Sequence, residues 1–89
     1  MLNVENSVKS ALASTLRLND ISSIHLHQNL RKDLQLDSMG SLMFLMKLEE
    51  CIDGFFVDPE TLETKDLETV SSVVRYIQLQ MNGKKENVH

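Results

Sequence analysis

Apolar residues recur every three or four positions in three stretches of the chain, the spacing of one face of an α-helix. The first stretch runs from Val4 to about Leu16, and the second from Ser38 to about Cys51. The third begins at Asp66 and continues to Met81, with a stop expected at Asn82-Gly83. The pattern therefore predicts three long amphipathic helices.

The segments between these helices have no sustained period. Residues 18–37 mix polar side chains with isolated aliphatics, with short helical turns around residues 28–32 as an option. A loop of this length needs a structural reason, and its scattered aliphatics could pin it to a helical core. After the second helix, Gly54 is expected to take a left-handed conformation, and Phe55, Phe56 and Val57 to re-enter the core. A cap at Asp58 followed by proline predicts a short helix over Pro59–Glu63.

The predicted fold class is therefore all-α, a four-helix bundle with three long helices and one short helix. The chain of 89 residues is enough for one small domain, expected over residues 1–82, with a disordered polar tail over 83–89. Neither a bilayer-spanning apolar run nor a secretory signal pattern is found. We expect a cytoplasmic monomer that does not bind membranes.

Acidic residues are concentrated in one part of the chain. The total charge is −4, yet residues 33–68 hold ten acids and two lysines, a net charge of −8. Such a field repels nucleic acid and attracts basic partners. The alternative is that these acids only keep a small helical domain soluble.

Cysteine and histidine give little support for a metal or catalytic centre. Cys51 is the only cysteine, which excludes an internal disulfide, and we interpret it as a small packing residue. His25 and His27 lie in the long loop and His89 at the end of the chain. These three lack further ligands, so no metal site is predicted.

The second helix carries two apolar stripes on roughly opposite sides. At about 100° per residue, Leu45, Leu48 and Ile52 share one side, with Ser41 and Leu42 at its edges and Phe44 assigned to the core. A second stripe, here called the methionine face, consists of Met39, Met43, Met46 and Glu50. We interpret it as a recognition surface, because exposed methionines make adaptable contacts. The alternative is that both stripes are buried and the methionines fill the core.

The start of this helix holds the most distinctive residues, Asp37 and Ser38. Both can accept hydrogen bonds from the first free backbone N–H groups, and Ser38 is expected at the N-cap. Its hydroxyl would then be exposed, beside a carboxylate, and accessible to modification by another protein. An esterase or transferase acting through Ser38 itself is disfavoured, since no histidine is near it in sequence and no strand-turn-helix elbow surrounds it.

The stretch from Asp33 to Met39, followed by Leu42, Leu45 and residues 48–50, resembles the signature of acyl carrier proteins and of the related peptidyl and aminoacyl carriers. The resemblance implies that Ser38 bears a 4′-phosphopantetheine arm, attached from coenzyme A by a phosphopantetheinyl transferase. It also implies that Asp37 orients that transferase and its metal ion. Carrier proteins use the face of the second helix that corresponds to the methionine face for partner recognition.

The sequence departs from the family pattern at four positions. Gln35 stands where many members have glycine, and Gly40, Met43 and Lys47 stand where many fatty-acid carriers have acidic or small residues. The departure at Gln35 leaves the attachment site intact, whereas those at Gly40, Met43 and Lys47 favour a specialised partner set. We therefore expect a free-standing carrier, not an enzyme, that presents an acyl or aminoacyl thioester in polyketide, nonribosomal-peptide or related chemistry.

Its partners would be the transferase, a loading ligase or acyltransferase, and downstream biosynthetic enzymes. Two alternatives stay open at this point. One is a carrier for fatty-acid synthesis, and the other is an unmodified helical adaptor that binds one partner through the methionine face.

Overall fold

Three α-helices form the framework of the computed structural model. The structure describes residues 3–58 and 60–86, the last five as backbone only. Helix α1 spans Val4–Leu16, α2 spans Ser38–Cys51 and α3 spans Val70–Glu86, with 3₁₀ helices at Ile21–Ser23 and Thr64–Leu67. Helix α1 packs against both α2 and α3. The prediction of an all-α domain with three long helices is confirmed.

The first two helices begin with the cap geometry that their sequences allow. Asn3 accepts the Asn6 backbone N–H at 3.1 Å and so satisfies a free donor of α1. Helix α2 begins and ends at the predicted residues. Beyond it, Gly54 takes the expected left-handed conformation, with φ of 83°.

Every fully buried side chain among the described residues is apolar or aromatic. Neither 3₁₀ helix contributes a fully buried residue, whereas all three α-helices and the loops contribute such residues. The core consists of Val8, Ala11, Leu12, Ala13, Ile24, Leu30, Leu36, Phe44, Leu48, Ile52, Phe55, Val70, Val73, Tyr76 and Ile77. The assignment of Phe44, Leu48 and Ile52 to the core is confirmed.

The long loop between α1 and α2 is fastened to the start of α3 by main-chain hydrogen bonds. The Leu30 N–H donates to the Glu68 carbonyl at 3.0 Å, and the Val70 N–H donates to the Gln28 carbonyl at 3.1 Å. Ile24, Leu30 and Leu36 reach the core from this loop. The expectation that scattered aliphatics pin the loop to the core is confirmed for these three.

The second connection differs from its prediction. No helix covers the described residues 60–63, because the turn that begins at Asp58 ends at Leu62, whose N–H donates to the Asp58 carbonyl at 2.9 Å. The helical segment lies later, at Thr64–Leu67, where the Glu63 N–H donates to the Asp66 carboxylate at 2.8 Å. This pair of residues starts a new 3₁₀ helix and so shifts the short element along the chain.

Helix α3 begins at Val70, not at Asp66, and runs through Asn82-Gly83 to Glu86, so both of its predicted ends are wrong. One glycine costs a helix only about 1 kcal/mol relative to alanine, which a continuous hydrogen-bond ladder can absorb. Residues 87–89 of the predicted tail lie outside the described residues. No helix in the described part of the chain is long and apolar enough to span a bilayer.

Two further assignments of apolar residues to the interior are wrong. Cys51 is exposed at the end of α2, and Phe56 is exposed although Phe55 beside it is buried. Phe55 packs edge-on against Tyr76, with ring centroids 6.3 Å apart. Only one of these two neighbouring phenylalanines therefore faces the core.

Candidate functional site

The turn that leads into α2 holds Ser38 at the surface. Asp37, not Ser38, is the N-cap: its backbone is extended, and its carboxylate accepts the Gly40 N–H at 2.7 Å. Ser38 is the first helical residue and is exposed. Its hydroxyl makes no side-chain hydrogen bond within the described residues. The correction matters chemically, because a hydroxyl that does not cap the helix is available to react.

Two buried leucines hold this turn in place. Leu36 lies in the core immediately before the cap, and its N–H donates to the Leu30 carbonyl at 2.7 Å. Gln35 takes a left-handed conformation with φ of 56°, the region in which glycine is least strained. Gln35 therefore holds a conformation that a residue without a Cβ atom would adopt with less strain. Ser38 therefore follows a turn that is anchored in the core by Leu30 and Leu36.

A groove with a volume of about 350 Å³ opens beside Ser38. Three segments line it: the long loop, the first turn of α2, and the 3₁₀ helix before α3. Its lining residues are Asn29, Arg31, Lys32, Ser38, Ser41, Thr64, Leu67 and Glu68. Arg31 and Lys32, which directly precede the acidic segment 33–68, thus border the same groove as Ser38.

The methionine face is exposed along α2. The exposed fractions are 67% for Met39, 47% for Met43 and 60% for Met46, and Glu50 is exposed as well. The alternative that these methionines fill the core is therefore wrong. Leu42 is also 60% exposed, although its position at the edge of the inner stripe was ambiguous. Helical spacing places Leu42 about 60° from Met39, a signal that could have assigned it to this surface.

Sequence reasoning missed the groove. Arg31, Lys32 and Thr64 lie in segments without a helical period, so no local pattern indicates that they border the same groove as Ser38. Among the described residues no group of three or more His, Cys, Asp or Glu side chains is arranged to hold a metal ion.

The fold and the site define a small helical domain that presents one exposed serine between an apolar helix face and a polar groove. A family model described as "Phosphopantetheine attachment site" matches residues 6–77. The chain therefore belongs to the phosphopantetheine-binding carrier protein family. A comparison with curated proteins found no match.

Membership of this family establishes the general role of the chain. It is a non-catalytic carrier that bears a 4′-phosphopantetheine arm on a serine, and it works with a phosphopantetheinyl transferase and with biosynthetic enzymes. The unmodified adaptor is set aside on this ground. The residues present at the start of α2 suit the arm: Ser38 has an exposed hydroxyl, and the adjoining groove has basic side chains that complement a phosphodiester.

Proposed function

We propose that Ser38 is the serine that bears the arm. Three other serines in the matched region have engaged hydroxyls: Ser22 donates to Asp20 at 2.7 Å, Ser23 to the Asp20 carbonyl at 2.8 Å and Ser72 to the Asp66 carbonyl at 2.9 Å. The exposed Ser10, Ser14 and Ser71 lie outside the groove that Ser38 borders. The observation that carries the proposal is the Asp37 cap, which leaves the neighbouring Ser38 hydroxyl exposed and without a hydrogen bond at the start of α2.

The position of Ser38 also suits the product of the modification. The first backbone N–H groups of α2 and the positive end of its dipole favour a negatively charged phosphodiester. Asp37 would serve twice, as the cap that fixes the turn and as an exposed carboxylate for the transferase and its metal ion. When loaded, the arm holds its cargo as a thioester at its terminal thiol.

The proposed pathway is polyketide, nonribosomal-peptide or related specialised chemistry, with fatty-acid synthesis as the alternative. The support is the surface of α2, where Met39, Leu42, Met43 and Met46 are all exposed. An apolar surface of this kind suits partners that bind by packing. The acidic residues outside this face would add long-range attraction for basic partners and permit fast exchange between them.

Intact mass spectrometry tests the attachment site. The purified chain is incubated with coenzyme A, magnesium and a broad-specificity phosphopantetheinyl transferase, beside Ser38→Ala and Ser41→Ala. Ser41 is the matched control, because its side chain borders the same groove one turn further along α2.

We expect one phosphopantetheine increment on the wild type and on Ser41→Ala, and none on Ser38→Ala. An increment that persists on Ser38→Ala would show that another serine carries the arm. Circular dichroism of both variants shows whether a missing increment reflects unfolding.

A further inference from the structure

The groove beside Ser38 has a local charge opposite to that of the surrounding sequence. Arg31 and Lys32 line it, with Glu68 as the only acidic lining residue, whereas residues 33–68 together carry −8. In the described part of the chain the ion pairs are Lys9 with Glu5 and Lys65 with Glu63. The two groove cations are thus without a carboxylate within ion-pair distance among those residues.

The backbone that carries this basic pair is held firmly. The Arg31 and Lys32 N–H groups both donate to the Asn29 side-chain oxygen at 2.9 Å. The Asn29 N–H donates to the Asp33 carboxylate at 2.7 Å, and the Asp33 N–H donates to the Asn29 carbonyl at 2.9 Å. This closed set of bonds fixes where the two exposed side chains begin, while their charged ends stay free to meet a ligand.

We propose that Arg31 and Lys32 bind the phosphodiester that joins the arm to Ser38, so that the proximal part of the arm lies in the groove. The inference rests on the proposed attachment at Ser38. Arginine and lysine make strong charge-assisted hydrogen bonds to phosphate oxygens, and arginine can do so through two parallel bonds. A covalent tether at Ser38 keeps the phosphodiester permanently close to both cations, so that even a weak contact is well populated.

The rest of the groove suits the part of the arm that follows the phosphate. Its volume of about 350 Å³ falls within the usual range for small-molecule sites, about 300–1,000 Å³. Thr64 and Leu67 line the same groove as Ser38 and offer one hydroxyl and one apolar side chain to an arm that contains both amides and methyl groups. Docking of the arm here would leave the methionine face free for partner enzymes.

The experiment compares the chain before and after attachment of the arm, by backbone amide NMR and by relaxation of the single phosphorus nucleus. Intact mass first establishes that the arm is on Ser38. We then expect amide shift changes across the groove at Thr64 and Leu67, and a phosphorus nucleus that tumbles with the domain. An extended arm would change only amides next to Ser38, with a phosphorus signal typical of free motion, and would overturn the inference.

Charge variants test whether the basic pair is responsible. In Arg31→Gln/Lys32→Gln the shift changes at Thr64 and Leu67 should be lost and the phosphorus nucleus should become mobile, while Arg31→Lys should retain both signatures. The matched control is Lys47→Gln/Arg75→Gln, which removes two positive charges outside the groove and should leave both signatures unchanged.

The mass and NMR results together distinguish a failure of the attachment proposal from a failure of the proposed contact between the basic pair and the phosphodiester. No mass increment on Ser38 in a folded sample overturns the attachment proposal and this inference together. An increment on Ser38 with wild-type signatures in Arg31→Gln/Lys32→Gln overturns this inference alone.

Discussion

Gly40 is the third residue of α2, and the absence of a side chain there makes room for the turn that presents Ser38. A Cβ atom at this position would lie 2.9 Å from Cδ1 of Leu36 and 3.0 Å from Oδ1 of Asp37. Leu36 is only 2% exposed, so its side chain cannot swing into solvent. The Asp37 oxygen is the atom that caps the helix. Gly40→Ala should therefore disturb both the packing and the cap.

The opposing contributions to stability can be compared. Alanine is the better helix former by about 1 kcal/mol. Overpacking of a filled interior typically costs about 1–3 kcal/mol, and loss of an N-cap hydrogen bond costs about 1 kcal/mol more. We expect Gly40→Ala to lower the free energy of unfolding by about 1–3 kcal/mol, since the gain in propensity offsets only part of the cost.

The assay is urea denaturation followed by far-UV circular dichroism for Gly40→Ala, Leu36→Val and the double variant. Valine lacks the Cδ1 atom that the new Cβ would contact, so Gly40→Ala should cost less in the Leu36→Val background. Thermal denaturation should show a fall in Tm of about 4–8 °C per kcal/mol for a domain of this size. A stabilised Gly40→Ala, or strictly additive effects in the double variant, would refute the steric argument.

Two further predictions concern the second connection and the pathway. The Tyr76 hydroxyl accepts the Asp58 N–H at 3.2 Å, so Tyr76→Phe should cost about 1–2 kcal/mol and speed hydrogen exchange of the Asp58 amide; unchanged exchange would contradict this role. The arm-bearing chain should be loaded slowly by an acyltransferase from fatty-acid synthesis, and the variant Met43→Glu/Met46→Glu should be loaded faster. The control is Leu79→Glu, which adds a negative charge at an exposed position of α3. Efficient loading of the wild type would instead support the fatty-acid alternative.

The bounds of α1 and α2 were predictable because their apolar residues follow a helical period closely. The position of Leu48 and Ile52 in the core followed from the same period, whereas Phe44 lay between the two stripes. Ser38 stood out because a turn of polar residues precedes a strong helical pattern, and its role as the attachment residue stays a prediction. These features depend on interactions between residues close in sequence, which one chain segment largely specifies by itself.

The surface of α2 could not be decided by pattern alone, since both of its stripes are apolar. Only the packing of α1 against one side of α2 leaves Met39, Met43 and Met46 exposed, and Leu42 with them. The groove depended still more on tertiary structure. Thr64 and Leu67 share the groove with Arg31, Lys32 and Ser38 because main-chain bonds tie Leu30 to Glu68 and Gln28 to Val70. Such contacts join segments far apart in the sequence, and no local period encodes which of them will meet.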